Sequence, residues 1–297
     1  MTLETLQKRI KTTQDLRNIV STMKALSSVS ILQYDQAAAS LKGYRKNIRD
    51  GFHALMKRGQ MPPLPEHPKE GKTLVILIGT DSGLVGRFNN EIVTKARDEI
   101  HLAQKHLSDV LFLSVGKRMA VLAENAKMNL IGKYAISNSI KVVNSLAGTI
   151  ILRMYEAMHQ YKVTRVVMFY HYREQGTSVS LKKTTLFPVS RKAYDDLRKK
   201  KWKTNNVPLV TLPARQLLDA LIKEYLMIEL SAALTYSLAA EHHTRMINMQ
   251  NAEKNIDESL EKMNLEYQQK RQDAITEELI DVVSGAEALT PAKAKRK

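Results

Sequence analysis

The sequence predicts an α/β protein in which a long antiparallel coiled coil, made by the N- and C-terminal helices, carries a small open-sheet domain inserted between them. Three observations predict it. Residues 2–57 contain no proline and repeat apolar residues at helical spacing, residues 214–284 do the same, and the stretch between them alternates short apolar runs with helical patterns.

In the first segment the apolar positions are Leu6, Ile10, Leu16, Ile19, Met23 and Leu26, then Tyr34, Leu41, Tyr44, Ile48, Phe52 and Leu55. At 1.5 Å per residue this helix would be a rod of roughly 80 Å. Gly43 and Gly51 each cost up to about 1 kcal/mol of helix propensity and mark places for a bend. Gly59 and Met61-Pro62-Pro63-Leu64-Pro65 end the helix, which gives an N-terminal element over residues 1–58.

The middle domain is expected over residues 72–190. Leu74-Val75-Ile76-Leu77-Ile78 is the continuous apolar run of a strand covered on both faces. The glycines of Gly79-Thr80-Asp81-Ser82-Gly83-Leu84-Val85-Gly86 turn the chain into a helix over about 88–104. A strand at 110–113, a short helix after Gly116, a helix over 144–161, a strand over 163–170 and an edge strand over 177–187 complete a Rossmann-like open sheet.

Residues 191–213 read as a basic, broken linker closed by Asn205-Asn206-Val207-Pro208 and Pro213, and residues 286–297 as a basic tail. The C-terminal helix, 214–285, would be roughly 100 Å long. Leu217, Leu218, Leu221, Ile222, Tyr225 and Leu226 give it a broad apolar face. Met249, Ala252, Ile256, Leu260, Met263, Tyr267 and Ala274 continue as a narrow stripe at steps of three and four. Ser27, Ser28 and Ser30 occupy or flank inward positions, and Lys24, Gln33 and Asp35 dilute the seam; such a pair suggests close approach or a further surface wrapped outside it.

Composition narrows the function. With no cysteine, disulfides, thiolate chemistry and cysteine-ligated metals are excluded. No apolar run approaches the roughly 20 residues of a membrane span. Residues 2–11 already carry Glu4, Lys8, Arg9 and Lys11, so no signal-peptide core is expected and the protein should stay in the compartment where it is made. A formal charge of +16 points to nucleic acid, an anionic membrane or acidic protein partners. With aromatic residues at 6%, a base-stacking surface has little to work with.

The motifs for chemistry are weak. The glycine-rich turn lacks GxGxxG spacing and the lysine and hydroxyl of a P-loop, and reads as a tight strand-to-helix connection. Glu241-His242-His243 has no partner one turn away and reads as exposed polar helix surface. Asp195-Asp196 and Glu277-Glu278 lack a histidine, serine or lysine at a spacing that makes a nucleophile or proton shuttle.

Across essentially its whole length the chain resembles the gamma subunits of F-type ATP synthases. Arg245-Met246-Ile247-Asn248-Met249-Gln250-Asn251-Ala252 is similar to that family's C-terminal pattern, as are Tyr267, Arg271, Gln272, Ala274, Ile275, Thr276, Glu278 and Leu279, with Gly285-Ala286 and Ala288-Leu289 as closing residues. Ile10-Lys11, Arg17, Ile19 and Met23-Lys24 match near the N-terminus, and Gly83-Leu84-Val85-Gly86-Arg87-Phe88-Asn89 in the middle domain. Departures hint at a divergent branch: Ser30 stands in place of a lysine, Leu32 and Gln33 in place of basic residues, Arg87 in place of a glycine, and Glu277 where glutamine is frequent.

The resemblance implies a non-catalytic rotor shaft that couples ion translocation to ATP synthesis or hydrolysis. The implied partners are a hexameric ring of alpha and beta subunits, which bind the nucleotides, the epsilon subunit and a membrane-embedded ring of c subunits. No cofactor or metal of its own and no specific nucleic acid are implied. The implied location is the cytoplasmic side of a bacterial plasma membrane, as a peripheral protein. Met23, Lys24, Arg245, Arg271, Gln272, Thr276 and Glu278 are the residues expected to touch partners, and the antiparallel pairing is expected to bring Met23 close to Arg271. The alternative raised by the charge is a nucleic-acid binding coiled coil.

Overall fold

The computed structural model describes residues 2–59, 71–103, 106, 109–137, 139–173, 178–189, 191–202, 206 and 209–289. The proline-rich helix stop at 61–65, the first residue of the expected edge strand at 177, residues 203–205, 207 and 208 of the expected linker and the tail from 290 lie outside the described residues. Two helices dominate, α1 (Leu3–Lys57) and α6 (Ala214–Leu289). The chain divides into two compact units: one is Ser27–Arg245, and the other holds the described residues of Met1–Leu26 and Met246–Lys297.

Within Ser27–Arg245 lies a five-stranded sheet. Its strands are β1 (Lys72–Ile78), β2 (Val110–Val115), β3 (Leu130–Tyr134), β4 (Val163–Arg173) and β5 (Val179–Phe187), in the order β3-β2-β1-β4-β5. The first three interfaces are parallel, and β5 pairs antiparallel with β4 at the edge. The connecting helices are α2 (Phe88–Leu102), α3 (Lys117–Asn125) and α4 (Ile140–Tyr161).

The continuous apolar run of β1 is explained by two covered faces. Val75 and Leu77 pack with Phe88, Ile92 and Ala96 of α2 and Met119 of α3, whereas Leu74, Ile76 and Ile78 pack with Ala147, Ile150 and Met154 of α4. That second face is shared with α6, through Leu226, Leu230, Ala233, Leu234 and Leu238, and with Tyr34 of α1. A smaller core joins Ile48, Phe52 and Leu55 of α1 to Leu218 and Ile228 of α6.

Three features differ from the sequence expectation. The edge strand β3 was not foreseen, because it is only half-buried and its centre is Gly132, so it shows neither a solid apolar run nor clean alternation. The segment expected as broken linker carries a helix, α5 (Arg191–Lys199), with Leu197 packed on the α1–α6 core. Finally, α1 runs unbroken through Gly43 and Gly51. A Cβ at Gly51 would lie 2.8 Å from a methyl of Leu221, so that glycine serves the close approach of α6.

The loop after β1 closes on its own polar groups. Asn89 accepts from the Thr80 amide at 3.0 Å and donates to the Thr80 hydroxyl at 2.9 Å; Asp81 accepts from the backbone amides of Lys117 at 2.8 Å and Ile136 at 3.1 Å. Gly116, at φ +107°, presses against this loop: a Cβ there would come within 2.6 Å of the Thr80 carbonyl oxygen. Backbone cannot swing aside as a side-chain tip can. Gly116→Ala is therefore expected to destabilise the sheet domain by about 2 kcal/mol or more, read as a lowered urea midpoint; an unchanged midpoint would show that the loop yields.

Candidate functional site

The candidate residues fall in two settings, and each setting is built by one of the long helices meeting the other. In the unit of the chain termini, the inward positions of α1 are Leu6, Ile10, Thr13, Arg17, Val20 and Lys24, steps of four and three that define a 3.5-residue seam. The facing stripe of α6 is the expected one: Met249, Ala252, Ile256, Leu260, Met263, Tyr267 and Ala274 are buried or half-buried. Leu16, Ile19 and Leu26, expected inside, are instead 50%, 56% and 64% exposed. The heptad seam displaces them because a 3.5-residue register cannot hold both sets on one face.

Ion pairs fix that register. Arg17 pairs with Asp257, and Lys24 with Glu253, so numbers rise along α1 as they fall along α6 and the pairing is antiparallel. Hydrogen bonding from Arg17 holds the Asp257 carboxyl below its usual range, and hydrogen bonding from Lys24 does the same for Glu253. Asp257 and Glu253 had not been singled out in the sequence; their place beside the apolar stripe, where coiled coils set their interhelical pairs, is the signal that marks them.

Met23 and Lys24 are both half-buried at this seam. The expected closeness of Met23 to Arg271 is corrected by the register: with Lys24 opposite Glu253, Arg271 lies roughly 27 Å further along α6. Arg271, Gln272, Thr276 and Glu278 are exposed, and the Thr276 hydroxyl donates to the Gln272 carbonyl at 2.9 Å, a bond within one helical turn. From Ile275 to Ala286 every position is exposed, including Ile275, Leu279, Ile280, Val282 and Val283.

Arg245 belongs to the other unit and points inward, 5% exposed. Its guanidinium donates to Glu241 at 2.5 Å, to the Gly83 carbonyl at 3.3 Å and to Nδ1 of His242 at 3.4 Å. His242 stacks on Tyr34 with ring centroids 5.5 Å apart. Here the sequence expectation fails: Glu241, His242 and His243, expected as exposed surface, are 2%, 5% and 4% exposed. They sit on a stretch of α6 covered on nearly all sides, where no polar face remains to be read.

Burial sets the charges in this cluster. It pushes the Tyr34 hydroxyl up to about 12, with Glu241 adding to the effect, and lowers His242 to about 4, with Arg245 adding to it. It also lifts the Glu241 carboxyl above the usual range, an effect that Arg245 only partly offsets. His242 is therefore neutral near pH 7, its Nδ1 accepting from Arg245. Among the described residues no group of three or more acidic or histidine side chains is arranged to hold a metal ion.

Removing one partner of a buried pair strands the other. Arg245→Ala is expected to destabilise this unit by about 3–5 kcal/mol, and Glu241→Gln in the same chain to recover part of that loss. Denaturant titration of both single variants and the double would test it, strictly additive losses being the contrary result.

A second expectation concerns acid. A histidine whose folded pKa is depressed gives stability that is complete above its unfolded value, about 6.5, and lost as pH falls towards about 4; for His242 this is about 3 kcal/mol. The raised Glu241 acts in the opposite sense, favouring the folded state as pH falls. His242→Phe keeps a ring against Tyr34 and should flatten the loss of stability between pH 6.5 and 4; a profile as steep as the unaltered chain's would assign the acid sensitivity elsewhere.

Comparison with known proteins gives one consistent answer. A family model described as ATP synthase matches residues 2–289. The ATP synthase gamma chain of Halothermothrix orenii is 27% identical over 291 residues, covering 97% of this chain and 99% of its own. That of the Wolbachia of Brugia malayi is 27% identical over 296 residues, with the same coverages. Among solved structures, a chain of the Euglena gracilis mitochondrial ATP synthase rotor aligns with a TM-score of 0.63 at 15% identity, covering 92% of this chain and 99% of that one. A chain of the Tetrahymena thermophila mitochondrial ATP synthase central stalk and c-ring aligns with a TM-score of 0.54 at 18% identity, covering 79% and 99%. At these identities the structural likeness shows the fold.

Proposed function

The chain belongs to the gamma-chain family of ATP synthases, and we propose that it works as the central rotor shaft, turning inside a ring of alpha and beta subunits. The observation that carries this reading is the end of α6. Five large apolar residues between 275 and 283 stand exposed on a helix that also carries Arg271, Gln272 and Glu278. A lone helix of this kind exposes apolar area that a surrounding protein would bury at about 1.5–3 kcal/mol per large side chain. The exposed Leu16, Ile19 and Leu26 of α1 give the same argument for that helix.

In this reading ion flow turns the shaft, nucleotides are bound by the alpha and beta subunits, and epsilon and the membrane-embedded c ring are the further partners. Among the described residues no helix is long and apolar enough to cross a membrane, so membrane association would come through the complex, on the cytoplasmic side of a bacterial plasma membrane. The relatives give the nucleic-acid reading no support. The domain limits that accompany the proposal are 1–58 and 214–285 for the coil helices and 72–190 for the sheet domain.

Met23, Lys24, Arg271, Gln272, Thr276 and Glu278 are the proposed contacts to partners. Arg245, enclosed in its own unit, would act through the set of the loop at Gly83. Native mass measurement of the complex is the direct test of the shaft reading, and its absence from a complex with alpha and beta subunits after mild extraction would overturn it.

For Arg271 the expectation is finer. A charge-assisted contact formed at one rotational angle and released at another would contribute about 1–3 kcal/mol where it forms. Arg271→Ala, Arg271→Gln and Arg271→Lys should then assemble normally but change the rotational dwell or the ATP turnover per assembled complex, lysine least because it keeps the charge without the planar fork. Three variants with unchanged turnover and load dependence would reduce Arg271 to a solvated side chain.

A further inference from the structure

Between α2 and the sheet the packing leaves an open pocket of about 430 Å³, within the range of small-molecule sites. It lies where β1 and β2 begin, and Thr73 and Val110, opposite each other in register, both line it. Its floor is Val75 of β1 with Val167 and Phe169 of β4, all buried. Its wall is α2, which presents Ala96, Ile100 and Ala103. The alanines at 96 and 103, two turns apart on one face of α2, leave the space open, since a larger side chain at either place would reach into it.

The rim is charged, and unevenly so. Lys183 of β5 pairs with Glu99 of α2, and Lys95 approaches the same carboxylate at 3.6 Å. Hydrogen bonding from Lys183 holds Glu99 below the usual carboxylate range, so this acid is ionised and already neutralised where it stands. Arg165 of β4 also lines the pocket, is exposed, and among the described residues has no carboxylate within ion-pair distance. Glu91 and Asp98, the other acids of α2, and Asp109, just before β2, do not line it. An unpaired guanidinium therefore stands at the mouth of an apolar pocket.

We infer that this pocket holds a medium-chain alkyl carboxylate, its chain on the apolar floor and its head on the Arg165 guanidinium. The planar fork of an arginine matches a carboxylate through two parallel hydrogen bonds, whereas the floor offers no side chain that could bond a polar tail. The position argues against a nucleotide. Open α/β sheets take phosphates at the carboxyl ends of their strands, on helix N-termini, and this pocket lies at the amino ends of β1 and β2, where α2 finishes. The partial negative charge of that helix end fades within a turn, which places the head across the pocket at β4. The inference goes beyond the shaft reading and does not rest on it.

The test is calorimetric titration of the full chain with octanoate below its micelle concentration, and with octanol and acetate, which carry the tail and the head alone. The expected result is one saturable octanoate site, with affinity rising about fourfold for each methylene added from hexanoate to octanoate. Octanol and acetate should each bind at least about tenfold more weakly than octanoate.

Arg165→Gln, at an exposed position, should weaken octanoate on the order of 10-fold and leave octanol unchanged. The control Arg9→Gln, which removes the same charge from an exposed site on α1, should bind as the unaltered chain does. Ala103→Leu, also at an exposed position, narrows the mouth and should abolish binding, with unchanged circular dichroism showing that the fold is kept. Octanol binding as tightly as octanoate would overturn the site. So would an Arg165→Gln variant that binds no more weakly than Arg9→Gln, or octanoate uptake that never saturates and ignores Ala103→Leu.

Discussion

The burial of α6 between residues 226 and 245 is the constraint on which the sheet-bearing unit depends. Leu230, Leu234 and Leu238 fill the core against the sheet, while Ala232, Ala233, Ala239 and Ala240 and the serines at 231 and 237 keep the helix thin enough to be covered elsewhere. A helix enclosed this way leaves its polar side chains to find partners within the protein, and most on this stretch do, the Ser231 hydroxyl and Nε2 of His242 being the exceptions. Ser237 donates to the carbonyl of Ile78 at 3.1 Å, Thr235 to the carbonyl of Ser231 at 2.8 Å, and Arg245 closes the stretch on Glu241 and Gly83. The loop after β1 is thereby fastened to α6 by charge and to α3 through Asp81.

The other unit is held by weaker means. Its seam contains Thr13, Arg17 and Lys24 where a self-sufficient two-helix coil would place leucine, isoleucine or valine, and the side chains of Arg17 and Asp257 remain 41% and 47% exposed. Exposed pairs of this kind are worth about 0–1 kcal/mol each, so they set register far more than they stabilise. The apolar stripe from Met249 to Ala274 supplies most of the cohesion.

Legibility in the sequence follows the same division. The narrow stripe of α6 and the solid run of β1 were readable because each has one unambiguous environment, a single neighbour for the stripe and two covered faces for the strand. Glu241, His242 and His243 were misread because a helix buried all round has no periodicity to betray it; the alanines and serines nearby are the only hint. On α1 the apolar residues outnumber the places on one face, and Leu16, Ile19 and Leu26 compete with the seam of Leu6, Ile10, Arg17 and Lys24. The set that turns inward is the one whose Arg17 and Lys24 pair across with Asp257 and Glu253, partners that lie too far along the sequence to be read from α1 alone. Arg271, Gln272, Thr276 and Glu278 leave no mark on the fold at all. The contact role proposed for them rests entirely on the resemblance to the family, since nothing inside the chain requires them.

That contrast bears on how a shaft can turn while remaining held. Apolar contact is non-directional and roughly proportional to area, so a ring of partner surface closing on Leu279, Ile280 and Val283 would gain nearly the same free energy at every angle. Such contact retains the helix without choosing an orientation. Charge-assisted hydrogen bonds have defined lengths and angles, so Arg271 and Glu278 can favour one angle over its neighbours. Were the ionic contacts deeply buried, breaking them at each step would leave desolvated charges and a barrier of several kcal/mol. Under the shaft reading, contacts made by Arg271 and Glu278 that stay partly exposed in the assembly would keep that barrier low. Under the shaft reading the exposed apolar side chains therefore supply grip and the exposed charges supply angular preference, which is why neither set is spent on the seam with α1.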